Sequence, residues 1–445
     1  MNDTLLALDL NHFWHPCSQM KDYEQCPPVL IQRAEGAYLE CQDGTQLIDA
    51  ISSWWCKSLG HGHPRLKNAL LTQLAAYEHV IAANTCQAPS ARLAAALAQL
   101  CAPLNKVFFA SEGSSAVEIA LKMSLQAHLH EGKTQRTQFM ALENAYHGET
   151  ALAMSVSDLG LYRQPYQHIL TPTHRLQHLP YVNTTHDPVW QDCSAYWPTI
   201  EKQLNAVSTT LSAIIVEPIV QGAGGMRIYS QDFLRRLRAW TDEHGVHLIA
   251  DEIMTGLGRT GRMLACQHAN ITPDFICLSK NLTSGFLPLS AVVTRDEIYN
   301  LFYDDYEHGK NFLHSHTFSG HALACSVALE TLKILSEPAT QARCQHNTLL
   351  MADLMHATAK ETQLLENVRH IGMIAAADLK LAPHQASLRM GYQVYQHALK
   401  EGALLRPLGN TIYWLPPFIC EDHTLQDLKR ITISSLRSWA SHNNR

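Results

Sequence analysis

Three stretches of the chain end in residues that could act together on a small molecule. Lys106–Ala110 (KVFFA) is an apolar run passing into Ser111-Glu112-Gly113-Ser114-Ser115, small residues opening a helical pattern. Free backbone N–H groups, hydroxyls and the positive end of a helix dipole make such a turn a cup for phosphate. Alone, it reads more often as an ordinary helix cap. His247–Asp251 is a second run and ends in Asp251-Glu252. A carboxylate there could hold a buried cation, or keep a pyridine nitrogen protonated so that the ring works as an electron sink; a helix cap or a surface pair is the plainer alternative. Asp274–Ser279 is a third run and ends in Lys280, ahead of Asn281-Leu282-Thr283-Ser284-Gly285, expected to be flexible. A lysine desolvated at a strand end has a lowered pKa and becomes nucleophilic, although a snorkelling surface lysine is common.

Each run alone is ambiguous; their order is not. A phosphate cup, an acid after one strand and a lysine after the next give the phosphate, ring nitrogen and aldehyde of pyridoxal phosphate one partner each. Tyr146-His147-Gly148 follows the run Gln138–Leu142, so an aromatic face could cover the ring. Ser315-His316-Thr317 follows a loop and could offer a hydroxyl to a phosphate oxygen.

These residues need a scaffold, and the middle of the chain supplies one. Lys106–Ala110, Gln138–Leu142, Ala213–Val216, His247–Asp251, Phe275–Ser279 and Ser290–Thr294 read as buried strands. Helical patterns alternate with them. Ser114–His130 is one; Ser230–His244 is another, with Ser230 to cap it and Gly245 to end it. Alternation of this kind predicts an α/β fold with a mostly parallel sheet between helix layers. Ligands of such sheets bind at the carboxyl ends of the strands, where the three candidate groups fall. Gly36–Asp49 predicts a hairpin turning at Asp43-Gly44. Beyond about Glu330, helices at Leu388–Lys400 and Leu425–Ala440 and strands at Ile371–Asp378 and Thr411–Leu415 suggest a small α+β domain built from both termini. The expected division is 1–51 and 331–445 for that domain and 52–330 for the large one.

The 445 residues carry a net charge of -6, with 46% hydrophobic and 17% charged residues. No Lys/Arg block marks a nucleic-acid binder, and no apolar stretch is long enough to span a bilayer. The first residues lack a basic signal-peptide region, so a cytoplasmic enzyme is expected, its twelve cysteines reduced. His61-Gly62-His63 and His314-Ser315-His316 lack the acidic neighbours of a helical zinc site, and no metal is expected. No Gly-x-Gly-x-x-Gly sits between an early strand and helix, which argues against a nicotinamide dehydrogenase.

Nearly the whole chain resembles the class III aminotransferases of pyridoxal-phosphate fold type I. The resemblance is carried by Trp54-Trp55, Gly113-Ser114, Tyr146-His147-Gly148, Glu217-Pro218, the run from Asp251-Glu252 through Gly256, Gly258, Arg259 and Gly261, and Ser279-Lys280. It implies a large domain with a mostly parallel seven-stranded sheet and a small α+β domain. Trp14-His15-Pro16, Ser52-Ser53-Trp54-Trp55, Glu217 to Met226, and Arg406-Pro407-Leu408-Gly409 followed by Leu415-Pro416-Pro417 resemble the biotin-synthesis branch of that family. So does Met254, where relatives acting on ω-amino acids usually carry Gln.

The resemblance implies pyridoxal 5'-phosphate as cofactor, with Lys280 as the Schiff-base lysine, Asp251 on the ring nitrogen and Tyr146 stacked on the ring. Gly113, Ser114, His147 and Glu217 join the cofactor site, with His316 and Thr317 supplied by the second subunit of a homodimer. It implies that Cys17, Trp54, Trp55, Ser315 and Arg406 meet the substrates, 8-amino-7-oxononanoate and S-adenosylmethionine, with Arg406 on the keto substrate's carboxylate. Read without the family, Arg406 would be a surface ion pair and the tryptophans ordinary core. Cys17 departs from the pattern: many members have there a Tyr that contacts substrate and the donor's adenine. Ser315-His316 stands where some have Gly-Pro, and Asn281 and Ser284 lie in a loop often built of small residues. A minority of the branch uses lysine as donor, and Tyr299–Tyr306 (YNLFYDDY) resembles that minority, so lysine is the alternative to the favoured S-adenosylmethionine. Another class III aminotransferase and a cofactor-binding protein without activity are the remaining alternatives.

Overall fold

The computed structural model describes residues 2–385 and 388–443. Its centre is a seven-stranded sheet. In chain order the strands are β1 (Lys106–Ala110), β2 (Gln138–Leu142), β3 (His174–Leu176), β4 (Leu211–Val216), β5 (His247–Asp251), β6 (Phe275–Leu278) and β7 (Ser290–Thr294). In space they run β1-β7-β6-β5-β4-β2-β3. β5 pairs in parallel with β4 and β6, and β2 with β4 and β3; only β7 is antiparallel to its neighbours. The six apolar runs all lie in this sheet. The remaining strand, β3, is a three-residue edge piece whose His174-Arg175 carries no apolar signal. β1, at the other edge, is only half-buried. The central strands are buried along their whole length because helices cover both faces.

Local chemistry sets the helix ends. The helix Gln231–His244 starts where the Ser230 hydroxyl accepts the N–H groups of Asp232 and Phe233, and stops at Gly245, whose φ of 59° suits glycine. The Asp43-Gly44 hairpin forms as expected, joining Tyr38–Cys41 to Gln46–Asp49. Gln46–Asp49 also pairs in parallel with Ala403–Leu404, so segments from both ends of the chain share one sheet.

Three expectations need correction. The strand expected over Ile371–Asp378 starts later than expected: Ile374–Leu379 is the strand, and it pairs with Leu365–Ile371 in a hairpin that turns at Gly372. A Cβ at Gly372 would sit 2.2 Å from the Thr260 carbonyl carbon, so the chain must turn there with glycine. The helix expected from Leu388 begins at Met390. Finally, the run after Lys280 is not flexible: Lys280–Thr283 is a 3-10 helix, and Asn281, Leu282, Thr283 and Ser284 are buried.

Candidate active site

The carboxyl edge of the sheet gathers the three groups around one cavity of about 430 Å3. Gly113, Ser114, Tyr146, His147, Asp251 and Lys280 line it. At the end of β1 the helix Gly113–His130 begins after Glu112, which makes no side-chain cap, so its first N–H groups face the cavity end uncapped. At Gly113 the space beside the helix start is filled only by the mobile end of the Ile253 side chain, 2.9 Å from where a Cβ would sit. Gly148 holds a φ of +120°, and a Cβ on it would strike the Ser114 side chain. The backbone can therefore approach an anion closely, as phosphate binding demands.

Asp251 ends β5, and its side chain is nearly buried. One carboxylate oxygen accepts the N–H of Ile253 at 3.1 Å; the other lies 2.7 Å from Nδ1 of His147. A carboxylate only accepts, so Nδ1 carries the proton of this contact and Nε2 is the ring's other polar atom. That nitrogen is buried and has no partner among the described residues. Glu252, the second acid of the pair, serves the fold instead: it accepts the N–H groups of Ala265 and Cys266.

Lys280 follows β6 with a φ of 45°, in the left-handed region. Its ammonium nitrogen lies 4.8 Å from the centre of the Trp55 ring. Burial lowers its pKa, opposed by the nearby charges of Asp251 and Glu217. The amine thus sits where desolvation favours its neutral, nucleophilic form.

Tyr146 is fixed through its backbone N–H, which Glu217 accepts at 3.0 Å, while the other Glu217 oxygen accepts the N–H of Gly222 at 2.9 Å. Burial pushes the Glu217 carboxyl up to about 7, and Glu252 likewise to about 7. A carboxyl whose folded value lies above its ordinary 4.5 favours folding fully below that value and loses the contribution as pH rises through about 7. Glu217→Gln is therefore expected to flatten the decline of unfolding free energy between the two values by about half, leaving the share of Glu252. Urea melts across that pH range check this; an unchanged slope would contradict it.

A second cavity of about 860 Å3 adjoins the first and shares Trp55, Cys56, Tyr146 and Lys280 with it. Cys17, Trp54 and Arg406 lie in its wall. The Arg406 guanidinium stacks 3.9 Å over the Trp54 ring and donates to the Cys17 carbonyl oxygen at 3.0 Å. Nothing in the sequence pointed to Tyr162, whose hydroxyl is 2.9 Å from the Cys17 sulfur and whose ring meets Tyr146 edge-on. Arg389 is a second unforeseen cation of this wall, paired with Asp22 at 2.8 Å.

Ser315, His316 and Thr317 line neither cavity of their own chain. Ser315 and Thr317 are exposed, and His316 contacts His314 at 2.9 Å. Among the described residues no group of His, Cys, Asp and Glu is arranged to hold a metal ion.

Comparison with known proteins agrees with this geometry. The family model described as aminotransferase class-III matches residues 19–434. An adenosylmethionine-8-amino-7-oxononanoate aminotransferase of Helicobacter pylori is 40% identical over 430 residues, covering 94% of each chain. That of Synechococcus elongatus is 40% identical over 422 residues, covering 94% of this chain and 96% of the relative. The crystal structure of the enzyme so named from Methanocaldococcus jannaschii superposes with a TM-score of 0.91 at 30% identity, covering 98% of this chain and 99% of that one. An amine transaminase from an uncultivated Pseudomonas species, in its PLP-bound form, gives 0.87 at 28% identity, covering 96% of this chain and 98% of that one. With the fold, the edge-of-sheet site and the match over residues 19–434 in agreement, the chain belongs to the class-III aminotransferase family.

Proposed function

We propose that this chain is a pyridoxal-phosphate aminotransferase that converts 8-amino-7-oxononanoate to 7,8-diaminononanoate, a step of biotin biosynthesis, with S-adenosylmethionine as amino donor. One observation carries the reading: Lys280 stands at the junction of two cavities. One has an uncapped helix end and a buried carboxylate; the other has tryptophans and an arginine.

The residues fit the cofactor. The Gly113-Ser114 turn offers N–H groups to its phosphate, Asp251 has room to accept a protonated ring nitrogen, and the open Nε2 of buried His147 awaits a polar partner. Tyr146 lies in the cavity wall, placed to cover the ring. Pyridoxal phosphate, when bound, supplies an electron sink for the charge left as the donor's Cα loses its proton. Lys280 would hold the cofactor through its amine and, once freed by the donor, would carry the donor's Cα proton onward through Nζ, the same nitrogen delivering a proton to the acceptor's carbon in the second half-reaction. Both substrates use one site in turn, so the kinetics are ping-pong.

Arg406 gives the acceptor its place. A long methylene chain against Trp54 and Trp55 leaves water, and the guanidinium grips the carboxylate at its end. Arg406→Leu is expected to raise KM for the keto acid by about 10- to 100-fold, the worth of a charged hydrogen bond, with a smaller change in kcat. Steady-state kinetics check this, and an unchanged KM would contradict the assignment.

The donor has a second reading. Cys17 offers no aromatic ring where many relatives carry tyrosine, which favours lysine. Against it, Tyr303 and Tyr306 of the lysine-like segment are exposed and line neither cavity; Tyr162 beside Cys17 supplies a ring to the same wall. Incubating the protein with keto acid and either donor, and measuring diamine by mass spectrometry, separates them. Exchanging the keto acid for pyruvate or 2-oxoglutarate separates both from other class III activities.

The reading includes a homodimer in which Ser315, His316 and Thr317 complete the partner's site; the exposure of Ser315 and Thr317 supports it. It includes the cytoplasm, supported by twelve unpaired cysteines. No described helix is long and apolar enough to cross a membrane.

A further inference from the structure

Residues Ser52–Trp55 form a helical turn of the wrong hand. Their φ values are 52°, 44°, 71° and 76°, and none of the four is glycine. L-residues enter this region singly, because Cβ crowds the following carbonyl oxygen. A run of four persists only where its surroundings over-determine it, and such strain gathers at functional sites.

The surroundings here centre on Asp49, at the end of the strand Gln46–Asp49 and fully buried. One carboxylate oxygen accepts the N–H of Ser53 at 2.9 Å and lies 3.4 Å from the N–H of Ile51. The other accepts the Ser53 hydroxyl at 2.7 Å and lies 2.8 Å from Nε2 of His61. Those bonds to the ionised form hold its pKa below the ordinary range against the opposing effect of burial. The flanks are tied down too: the Ser52 hydroxyl donates to the Leu415 carbonyl at 2.7 Å, and the Trp55 indole N–H to the Tyr413 hydroxyl at 3.0 Å.

The grouping of serine, histidine and aspartate is not a nucleophilic relay. In a relay the imidazole bridges serine and aspartate with its two nitrogens. Here the same nitrogen of His61 faces both, and the serine hydroxyl is committed to the carboxylate. The turn instead presents two tryptophans in two directions. Trp55 goes inward beneath the Lys280 amine, and Trp54 outward beneath the Arg406 guanidinium. One strained turn therefore sets both ends of the slot, the reacting end and the carboxylate end.

We infer that Asp49, with Ser53 and His61, is a clasp that positions Trp54 and Trp55 and so fixes how far the acceptor's keto carbon lies from its carboxylate grip. The inference rests on the proposed function for the identity of the acceptor. Asp49 is a positioning residue: it lines neither cavity.

The test uses the holoenzyme and four variants. Asp49→Ala is expected to raise KM for the keto acid by about tenfold or more, while cofactor absorbance is kept and hydrogen exchange of the segment 50–56 quickens. Asp49→Asn, which keeps one oxygen for the Ser53 N–H, falls between it and the parent. The Ser53 pair separates conformation from hydroxyl: glycine adopts the left-handed region freely and is expected to hold KM within about threefold, whereas β-branched valine is worst there and raises it by about tenfold. If Asp49→Ala does not fold, the Ser53 pair decides alone. Unchanged KM and exchange in Asp49→Ala, or equal KM in Ser53→Gly and Ser53→Val, would overturn the clasp. Failure of the parent enzyme to use the keto acid would overturn the proposed function instead, and the exchange measurements would still report on the clasp.

Discussion

Lys280→Ala is expected to abolish turnover, lowering kcat by at least about a thousandfold, and to remove the visible absorbance of lysine-bound cofactor. Two roles are lost at once. The amine that holds the aldehyde carbon is gone, and so is the base that moves the Cα proton. The fold should survive, because the side chain is tied only by its stack on Trp55, with no hydrogen bond or ion pair found for its nitrogen among the described residues. The replacement leaves space in the 430 Å3 cavity, so cofactor can still sit on the Gly113-Ser114 cradle. A small added amine should restore a little activity by doing the proton transfer from solution. Turnover retained without added amine would remove Lys280 from the chemistry.

Asp251→Asn is expected to be the next most damaging change, with kcat down by about a hundredfold or more. The amide is nearly isosteric, and its oxygen can still accept the proton of His147 Nδ1 and keep that ring in place. What disappears is the negative charge. Without it nothing holds a proton on the ring nitrogen, and the electron sink weakens. The loss has a second consequence at Lys280, whose ammonium form Asp251 favours. Removing that charge should move the amine's pKa further down, and the acid limb of the rate profile, where the neutral base is gained, should follow it. A pH–rate profile of the variant reports both effects; kcat within a few-fold of the parent and an unmoved limb would show that Asp251 plays no part.

Most of the site was legible in the sequence because it lies at strand ends. An apolar run ending at or just before Asp251, Lys280 or Gly113 puts that residue at the edge of a buried sheet, and it is the same edge for each because β5 and β6 are parallel and β1 runs the same way, antiparallel to β7 between them. What the sequence hid depends on contacts between distant segments. Tyr162 gains its place only because the chain around Cys17 folds against it. Arg389 sits at a helix start and pairs with Asp22 from the far end of the chain. The left-handed turn at Ser52–Trp55 contains no glycine, so its sequence advertises nothing; Asp49, Leu415 and Tyr413 impose it. The supposed flexible run after Lys280 shows the opposite error. Asn281, Thr283 and Ser284 are turn formers by type, yet they are packed into a 3-10 helix whose Thr283 hydroxyl donates to Leu287 and whose following Ser284 hydroxyl accepts the N–H of Leu59. That packing, not the residue types, fixes the lysine.

The absorbance of the purified holoenzyme on sequential mixing tests the central claim most directly. S-adenosylmethionine alone should discharge the visible band of lysine-bound cofactor, and 8-amino-7-oxononanoate added next should restore it. A band discharged by lysine but not by S-adenosylmethionine would contradict the donor, and a band that neither donor moves would contradict an aminotransferase built on Lys280.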